Sequence, residues 1–333
     1  MKESEIRPEA LLRRYLELSE HDATTCFGNE SRVSIPCVAC GSPRVAQDFE
    51  KHGFAFSLCQ DCGTLFQTPR PAQSAFEAFY QDSVSSNYWA EVFFPAVAEV
   101  RREKIFIPRV ERLALMCKKQ GLAVNRLIDV GAGYGIFLDE WRKRVPETQL
   151  VAVEPSASMA MECRTKGFEV VESSAEEIGV EYQNTADLVV CFEVLEHVYE
   201  PLGFLKSLMR LSKPGGYVFL STLCVDGFDL QMLWDKSNQI FPPHHINFLS
   251  VAGFEKLFER AGLGSVSITT PGKLDVDIVI NAFTKDEDLL RGQDFIKRVL
   301  SKEKTAKAFQ NFISENCLSS HVWVIGKKQA QKV

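Results

Sequence analysis

Four cysteines, a loop of alternating glycines and a pair of histidines are the residues of this 333-residue chain whose types and spacing could do chemistry. Cys37 and Cys40 stand in "CVACG", Cys59 and Cys62 in "CQDCG", and 18 residues separate the two C-x2-C pairs. Two residues between sulfurs let one tight turn aim both thiolates at a single ion, and the glycine after each pair relieves crowding where the backbone turns back. The spacing reads as a four-thiolate zinc site. With every coordination position filled by protein, the ion would be structural rather than catalytic. Cys163, Cys191 and Cys224 stand singly in apolar runs, where a free thiol behaves as a small hydrophobe.

The stretch "LIDVGAGYGIFLDEW", residues 127–141, sets Gly131, Gly133 and Gly135 behind the acidic Asp129. A backbone without side chains at every second position suits close approach to a ligand. Further on, "IFPPHHINFLS" carries His244 and His245 after a double proline. Imidazole titrates near neutral pH, as a general base should. His197, in "EVLEHV", competes for that role, although its expected place is structural or at the cofactor's edge.

These residues need elements to position them. From residue 126, β-rich runs alternate with helical stretches: "RLIDVG", "QLVAVEP", "FEVVES", "ADLVVCFEV", "GYVFLST". This is the pattern of an α/β fold with a parallel sheet covered on both faces, whose ligand sits beside the first strand-to-helix turn. "GAGYG" is that turn. Upstream, residues 71–125 read as a helical linker or lid in which Tyr80, Tyr88 and Trp89 surround the polar "QDSVSSN". Downstream come a strand-like "SVSITTP", helix formers over about 285–316, and "SSHVWVIGKK" as a returning strand. The expected division is an N-terminal helical segment (1–33), a zinc module (34–70), the linker or lid (71–125) and a core (126–333) carrying the helical insertion. The inserted helices would form a substrate wall or a homodimer contact.

The composition is 45% hydrophobic and 25% charged, with a formal net charge of −6 spread along the chain. That disfavours a dominant surface for nucleic acid or anionic membrane. No run approaches the length of a membrane-spanning helix, and "MKESEIRPEALLRRYLELSE" lacks an apolar leader, so a cytoplasmic protein is expected.

Spacing separates two cofactor classes. A dinucleotide loop, G-x-G-x-x-G, would need glycine where Ile136 stands. With glycine at 135 and the acid at 129, the pattern resembles the first motif of class I S-adenosylmethionine-dependent methyltransferases. "EVLEHV" followed by "LSKPGGYVFLST" is similar to later motifs of that family, and the likeness covers about 126–271. It implies a Rossmann-like sheet of seven strands, the last antiparallel. It also implies that Asp129, Gly131, Ala132, Gly133 and Gly135 shape the methionine end of the cofactor. Glu154 and Pro155 would lie at its ribose, Ser174 and Ala175 at the adenine rim, and Phe192 and Glu193 at the wall near the sulfonium. Tyr80 and Tyr88 fit a lid over that sulfur. The family often has an acid near the adenine, where this chain offers Ser174 and Ala175, with Glu176 behind them. Loops similar to "HHINFLS" turn the second histidine toward the pocket, which favours His245 as base.

A zinc module ahead of such a core resembles bacterial methyltransferases of sugar and surface-polysaccharide pathways, which implies a sugar or sugar-nucleotide acceptor. One rival is a zinc-module methyltransferase of ribosomal or transfer RNA, disfavoured by the acidic charge and the lack of an N/D-P-P-Y/F motif. Another is a non-catalytic interaction protein with a remnant core, which the intact glycines and Glu154 oppose. A dehydrogenase is the remaining alternative.

Overall fold

The structure is a computed structural model and describes residues 1–329; residues 330–333, assigned to the core from sequence, lie outside the described residues. Its centre is a seven-stranded sheet. In spatial order the strands are Leu263–Thr269, His321–Lys328, Ser212–Leu223, Ala186–Phe192, Arg126–Val130, Gln149–Val153 and Glu169–Val171. His321–Lys328 runs antiparallel to both neighbours, and the remaining pairings are parallel, as expected.

Side chains alternate across a strand, so each run feeds two layers. Ile128, Val130, Val151, Val153 and Val189 enter one apolar cluster. Leu127, Leu150, Ala152, Leu188 and Val190 enter the cluster on the opposite face. One covering helix, Val251–Ala261, buries Phe254, Leu257, Phe258 and Ala261, the spacing of a single helical stripe. Ser250 caps its start by accepting from the Gly253 N–H at 2.8 Å, and Gly262 ends it at φ 84°.

The zinc-module residues do not stand apart from the core. Strands Val45–Lys51, Phe54–Cys59 and Leu65–Gln67 form an antiparallel sheet, with a tight turn in which His52 and Gly53 have φ of 47° and 76°. Its fourth strand, Asn247–Phe248, comes from the histidine loop. Cys37, Cys59 and Cys62 pack in the same cluster as Ile128 and Val189. Phe27, Phe54, Phe56, Phe76 and Phe79 join Val225, Ile246 and Phe248 in another, tying the N-terminal helix, this sheet and the lid to the histidine loop.

The lid is helical over Gln73–Asp82 and Val84–Tyr88, then continues through Phe94–Arg101 and Ile107–Lys119 with wider π turns at Trp89–Phe93 and Arg102–Phe106. The late helical block begins at Asp275, not near 285. Its first helix holds the β-branched Val276, Ile278 and Val279, which pack against Leu233, Leu290 and Ile313. Burial stabilises a helix that side-chain propensity alone disfavours. Among the described residues no helix is long and apolar enough to cross a membrane.

Candidate active site

The glycine loop leaves the end of Arg126–Val130, where the Gly131 and Ala132 N–H groups donate to the Val153 carbonyl at 2.8 and 3.2 Å. Gly131, Gly133 and Gly135 have φ of 75°, 54° and 67°, values at which any other residue is strained. A Cβ on Gly131 would lie 2.6 Å from Val194 Cγ2, and one on Gly135 would lie 3.0 Å from Cys163 Sγ. At Gly133 a Cβ would meet nothing within 4 Å. Two of the glycines therefore admit protein neighbours, while the middle one borders open space.

Two buried carboxyls flank that space. Glu154 Oε2 accepts from the Gly133 N–H at 2.7 Å and Oε1 from the Ser156 N–H at 3.0 Å, which leaves each oxygen a lone pair for a ligand hydroxyl. Burial raises its pKa. Asp129 is 1% exposed, its Oδ1 has no hydrogen-bond partner among the described residues, and burial, with the nearby Glu154 charge, pushes its carboxyl up to about 8. An orphaned buried oxygen beside an open glycine cradle fits a polar ligand that supplies the missing donor. Pro155 is exposed beyond Glu154, Ser174 Oγ donates to Glu177 Oε2 at 3.2 Å, and Ala175 is buried in the core.

Phe192 ends the central strand with its ring 4.5 Å from that of Phe137 and under the Arg109 guanidinium, also at 4.5 Å. Glu193 then turns into the left-handed region, φ 55°, a conformation that costs about 1–3 kcal/mol and clusters at functional sites. Its Oε1 accepts from Arg109 Nη2 at 3.0 Å and from Ser221 Oγ at 2.5 Å. Burial opposes ionisation, but His321 and Arg109 hold this carboxyl down to about 2. Three residues on, Glu196 behaves oppositely. It is buried, accepts from Thr222 Oγ1 at 2.6 Å, and is pushed up to about 8 by burial and by the Glu193 charge. Two carboxyls whose surroundings drive their pKa values apart divide acid and base roles.

His197 and His245 meet Glu196. His197 Nδ1 donates to the His244 carbonyl at 3.0 Å and His245 Nδ1 donates to the Gln239 carbonyl at 2.7 Å; these tautomers follow because a carbonyl can only accept. In both rings Nε2 keeps its lone pair. The rings lie 4.7 Å apart, and one donor atom from each of Glu196, His197 and His245 falls within 4.8 Å of the others. The group could converge on one acceptor hydroxyl or one small cation. Burial lowers the pKa of His197 to about 4 and that of His245 well below the ordinary range.

The structure gives His244 different company from the sequence expectation of a base. It is buried, and its Nε2 lies 2.8 Å from Ser85 Oγ, which donates to Asp22 Oδ2 at 2.5 Å. Its ring latches the lid to the N-terminal helix. Tyr80 Oη donates to the His244 carbonyl at 3.2 Å and lies 3.3 Å from His197 Nδ1, whereas Tyr88 packs with Tyr15, Phe93 and Val97. Glu196 was missed in the sequence reading, although "EVLEHV" places it beside His197 and one turn from Glu193; Arg109, inside a charged helical run, carried no local signal.

Backbone contacts fix the histidine loop. The Ile246 N–H donates to the Glu196 carbonyl at 2.8 Å, and Asn247 Nδ2 donates to the carbonyls of Leu195 and Val198 at 3.2 and 2.7 Å. Arg70, fully buried, donates to the carbonyls of Gln67 and Tyr199 and to Asn247 Oδ1. Behind this brace, Cys37, Cys40, Cys59 and Cys62 are free thiols with sulfurs within 4.8 Å of one another, two of the pairs at 3.6 Å. A tetrahedron of ~2.3 Å zinc–sulfur bonds has edges of about 3.8 Å, so the four sulfurs fit one such ion.

A family model described as "Methyltransferase domain" matches residues 97–268. The chain belongs to that methyltransferase-domain family. It is 39% identical over 108 residues to a ubiquinone biosynthesis O-methyltransferase of Aliivibrio fischeri, covering 31% of this chain and 46% of the relative. A Vibrio parahaemolyticus protein of the same name is 31% identical over 163 residues, covering 46% and 69%. The chain spans about half the length of the first of these curated relatives. Among solved structures, the plantazolicin methyltransferase BamL, in complex with a substrate analogue and S-adenosylhomocysteine, superposes with a TM-score of 0.52 at 13% identity over 76% of this chain and 94% of that one, a likeness of fold.

Proposed function

We propose that this protein transfers a methyl group from S-adenosylmethionine to a hydroxyl of a small molecule, with a sugar or nucleotide sugar of polysaccharide or secondary-metabolite biosynthesis as the acceptor class. The observation that carries the reading is the meeting of Glu196, His197 and His245 beside the glycine loop and two buried carboxyls. Relatives named as O-methyltransferases support an oxygen acceptor.

When bound, the cofactor supplies a methyl group already activated on a sulfonium. The chain's residues then have three tasks. Asp129 and the Gly131–Gly133 backbone receive the amino-acid end, and Glu154 accepts from the ribose hydroxyls. Tyr80, with Phe192, closes over the centre; an aromatic face beside a cation contributes about 0.5–2 kcal/mol. Holding the acceptor in line is the third task, and it includes taking its proton. Glu196, whose carboxyl titrates near 8, is the proton acceptor for the reacting hydroxyl, and His197 and His245, whose Nε2 atoms carry lone pairs, accept from neighbouring hydroxyls of the acceptor and so orient it. Glu193 stays ionised and holds Arg109. The four cysteines hold a structural zinc that anchors the histidine loop from behind.

Methyl transfer from labelled S-adenosylmethionine tests this, with nucleotide sugars, phenolic acceptors and ribosomal RNA compared in parallel and Glu196→Gln and His245→Ala as variants. Label on a nucleotide sugar, lost in both variants, is expected. Label on a phenol would keep the reaction and replace the acceptor class. Label on RNA would overturn the small-molecule reading.

A further inference from the structure

Two adjacent arginines at the lid's second π turn have opposite surroundings. Arg102 contacts Glu99, Asp139 and Glu140. Arg101 has no hydrogen-bond acceptor and no carboxylate partner among the described residues, and its Nε is sealed from solvent. Its guanidinium lies against two aromatic rings, 5.6 Å from the centre of Trp89 and 5.4 Å from that of Phe94. Phe94 in turn stacks at 4.9 Å on Tyr134 of the glycine loop. The side chain therefore lies on the lid, one aromatic ring away from the glycine loop, with no hydrogen bond to protein among the described residues.

Other cations converge there. Arg101 feels the charges of Arg7, from the turn between the first two helices, and of Arg109 and Glu193, and the Arg101 and Arg109 guanidiniums both act on the ionised Glu193. That carboxylate is occupied by Arg109. Arg7 reaches Glu3 at 3.9 Å. Arg101 is the cation without an anion. A half-buried guanidinium whose sealed Nε is left unmatched is unfavourable, and its planar fork matches a carboxylate or phosphate.

We infer that Arg101, supported by Arg7, binds an oxyanion of the methyl acceptor, a phosphate or carboxylate, and holds it under the lid while its hydroxyl reaches Glu196. This inference rests on the methyltransferase reading and narrows its substrate to an anionic molecule. Arg109 stacks on Phe192 beside the cofactor loop and senses Asp129; Arg101 lies farther out, on the lid.

The test uses the full chain and the fluorescence of Trp89, which Arg101 covers. Inorganic phosphate, uridine diphosphate and benzoate are titrated with and without S-adenosylhomocysteine into the wild type, Arg101→Gln and Arg101→Lys, each first checked for an unchanged melting temperature. The expected result is saturable binding of at least one oxyanion, weakened about tenfold or more by Arg101→Gln and less by Arg101→Lys, which retains charge without the fork. Preference among the probes separates phosphate from carboxylate. Absence of saturable binding in the wild type, or equal affinity in Arg101→Gln, overturns the inference. So does a loss of S-adenosylhomocysteine affinity in Arg101→Gln that spares 5′-methylthioadenosine, because Arg101 would then serve the cofactor's own carboxylate. Failure of the wild type to bind S-adenosylhomocysteine strikes the methyltransferase reading, while the oxyanion titration without it still decides the role of Arg101.

Discussion

The two ends of the histidine loop differ in how completely their polar groups are satisfied. On the four-cysteine side, Arg70 donates to three acceptors, Asn247 to two carbonyls, and Ser250 Oγ accepts from Gly253 while donating to the Cys62 carbonyl; the buried Gln67 side-chain amide is the exception, with no partner among the described residues. On the cofactor side, Asp129 Oδ1 lacks a partner, Gly133 faces open space and Arg101 has no anion among the described residues. A region held by a network of charged and amide hydrogen bonds stabilises the fold, whereas groups left open beside an open glycine cradle are ready for a ligand. Mutations on the two sides should therefore separate stability from binding.

Disrupting the four-cysteine cluster proposed to hold zinc should produce the largest effect. Cys59→Ser or a strong chelator is expected to unfold the histidine loop and abolish transfer, because structural zinc contributes on the order of 10 kcal/mol; metal analysis paired with a melting curve checks it, and a zinc-free protein with unchanged melting would sink the brace. Glu154→Ala should do the reverse, weakening S-adenosylhomocysteine about 100-fold or more in calorimetry with little change in melting temperature. Glu196→Gln should lower kcat by roughly 10²- to 10⁴-fold with cofactor affinity retained.

A smaller effect is expected with pH. Folding raises the carboxyls of Asp129 and Glu196 to about 8, so their contribution to stability is fully present below about pH 4 and is lost as pH rises through 8. Each should remove up to about 1.4 kcal/mol per pH unit in that window. Glu193, held down to about 2, acts oppositely: its contribution is present above about pH 4 and is lost on acidification toward 2. Melting temperatures from pH 5 to 8 should fall in the wild type and fall less steeply in Glu196→Gln. Transfer itself should rise toward pH 8 as Glu196 ionises. Gly133→Ala should be mildest for the fold, about 1 kcal/mol from its positive φ, yet should still impair S-adenosylhomocysteine binding. Unimpaired binding would mean that the open space is not the cofactor's.

The sheet was legible because buried parallel strands are near-continuous apolar runs, and the glycine loop because its residues occupy positive φ. Glu196 was harder to read. Its raised pKa arises from burial and from the Glu193 charge, against the Thr222 hydrogen bond, which lowers it, and the burial depends on packing that no local pattern encodes. His244 and His245 are adjacent in sequence, yet the backbone sends one ring to Ser85 in the lid and the other toward His197. The helix at Asp275 was placed late because its β-branched residues suit a strand as readily, and tertiary packing decides between the two.

The pairing of Leu65–Phe66 with Asn247–Phe248 also sets an order of assembly. The Gln67 N–H donates to the Ile246 carbonyl at 2.8 Å, so the ribbon around the four cysteines remains an open edge until nearly three quarters of the chain has been made. Unpaired edges of this kind recruit other strands. During synthesis, closure of the histidine loop both brings His245 to Glu196 and His197 and ends the interval in which the N-terminal sheet is exposed to aggregation.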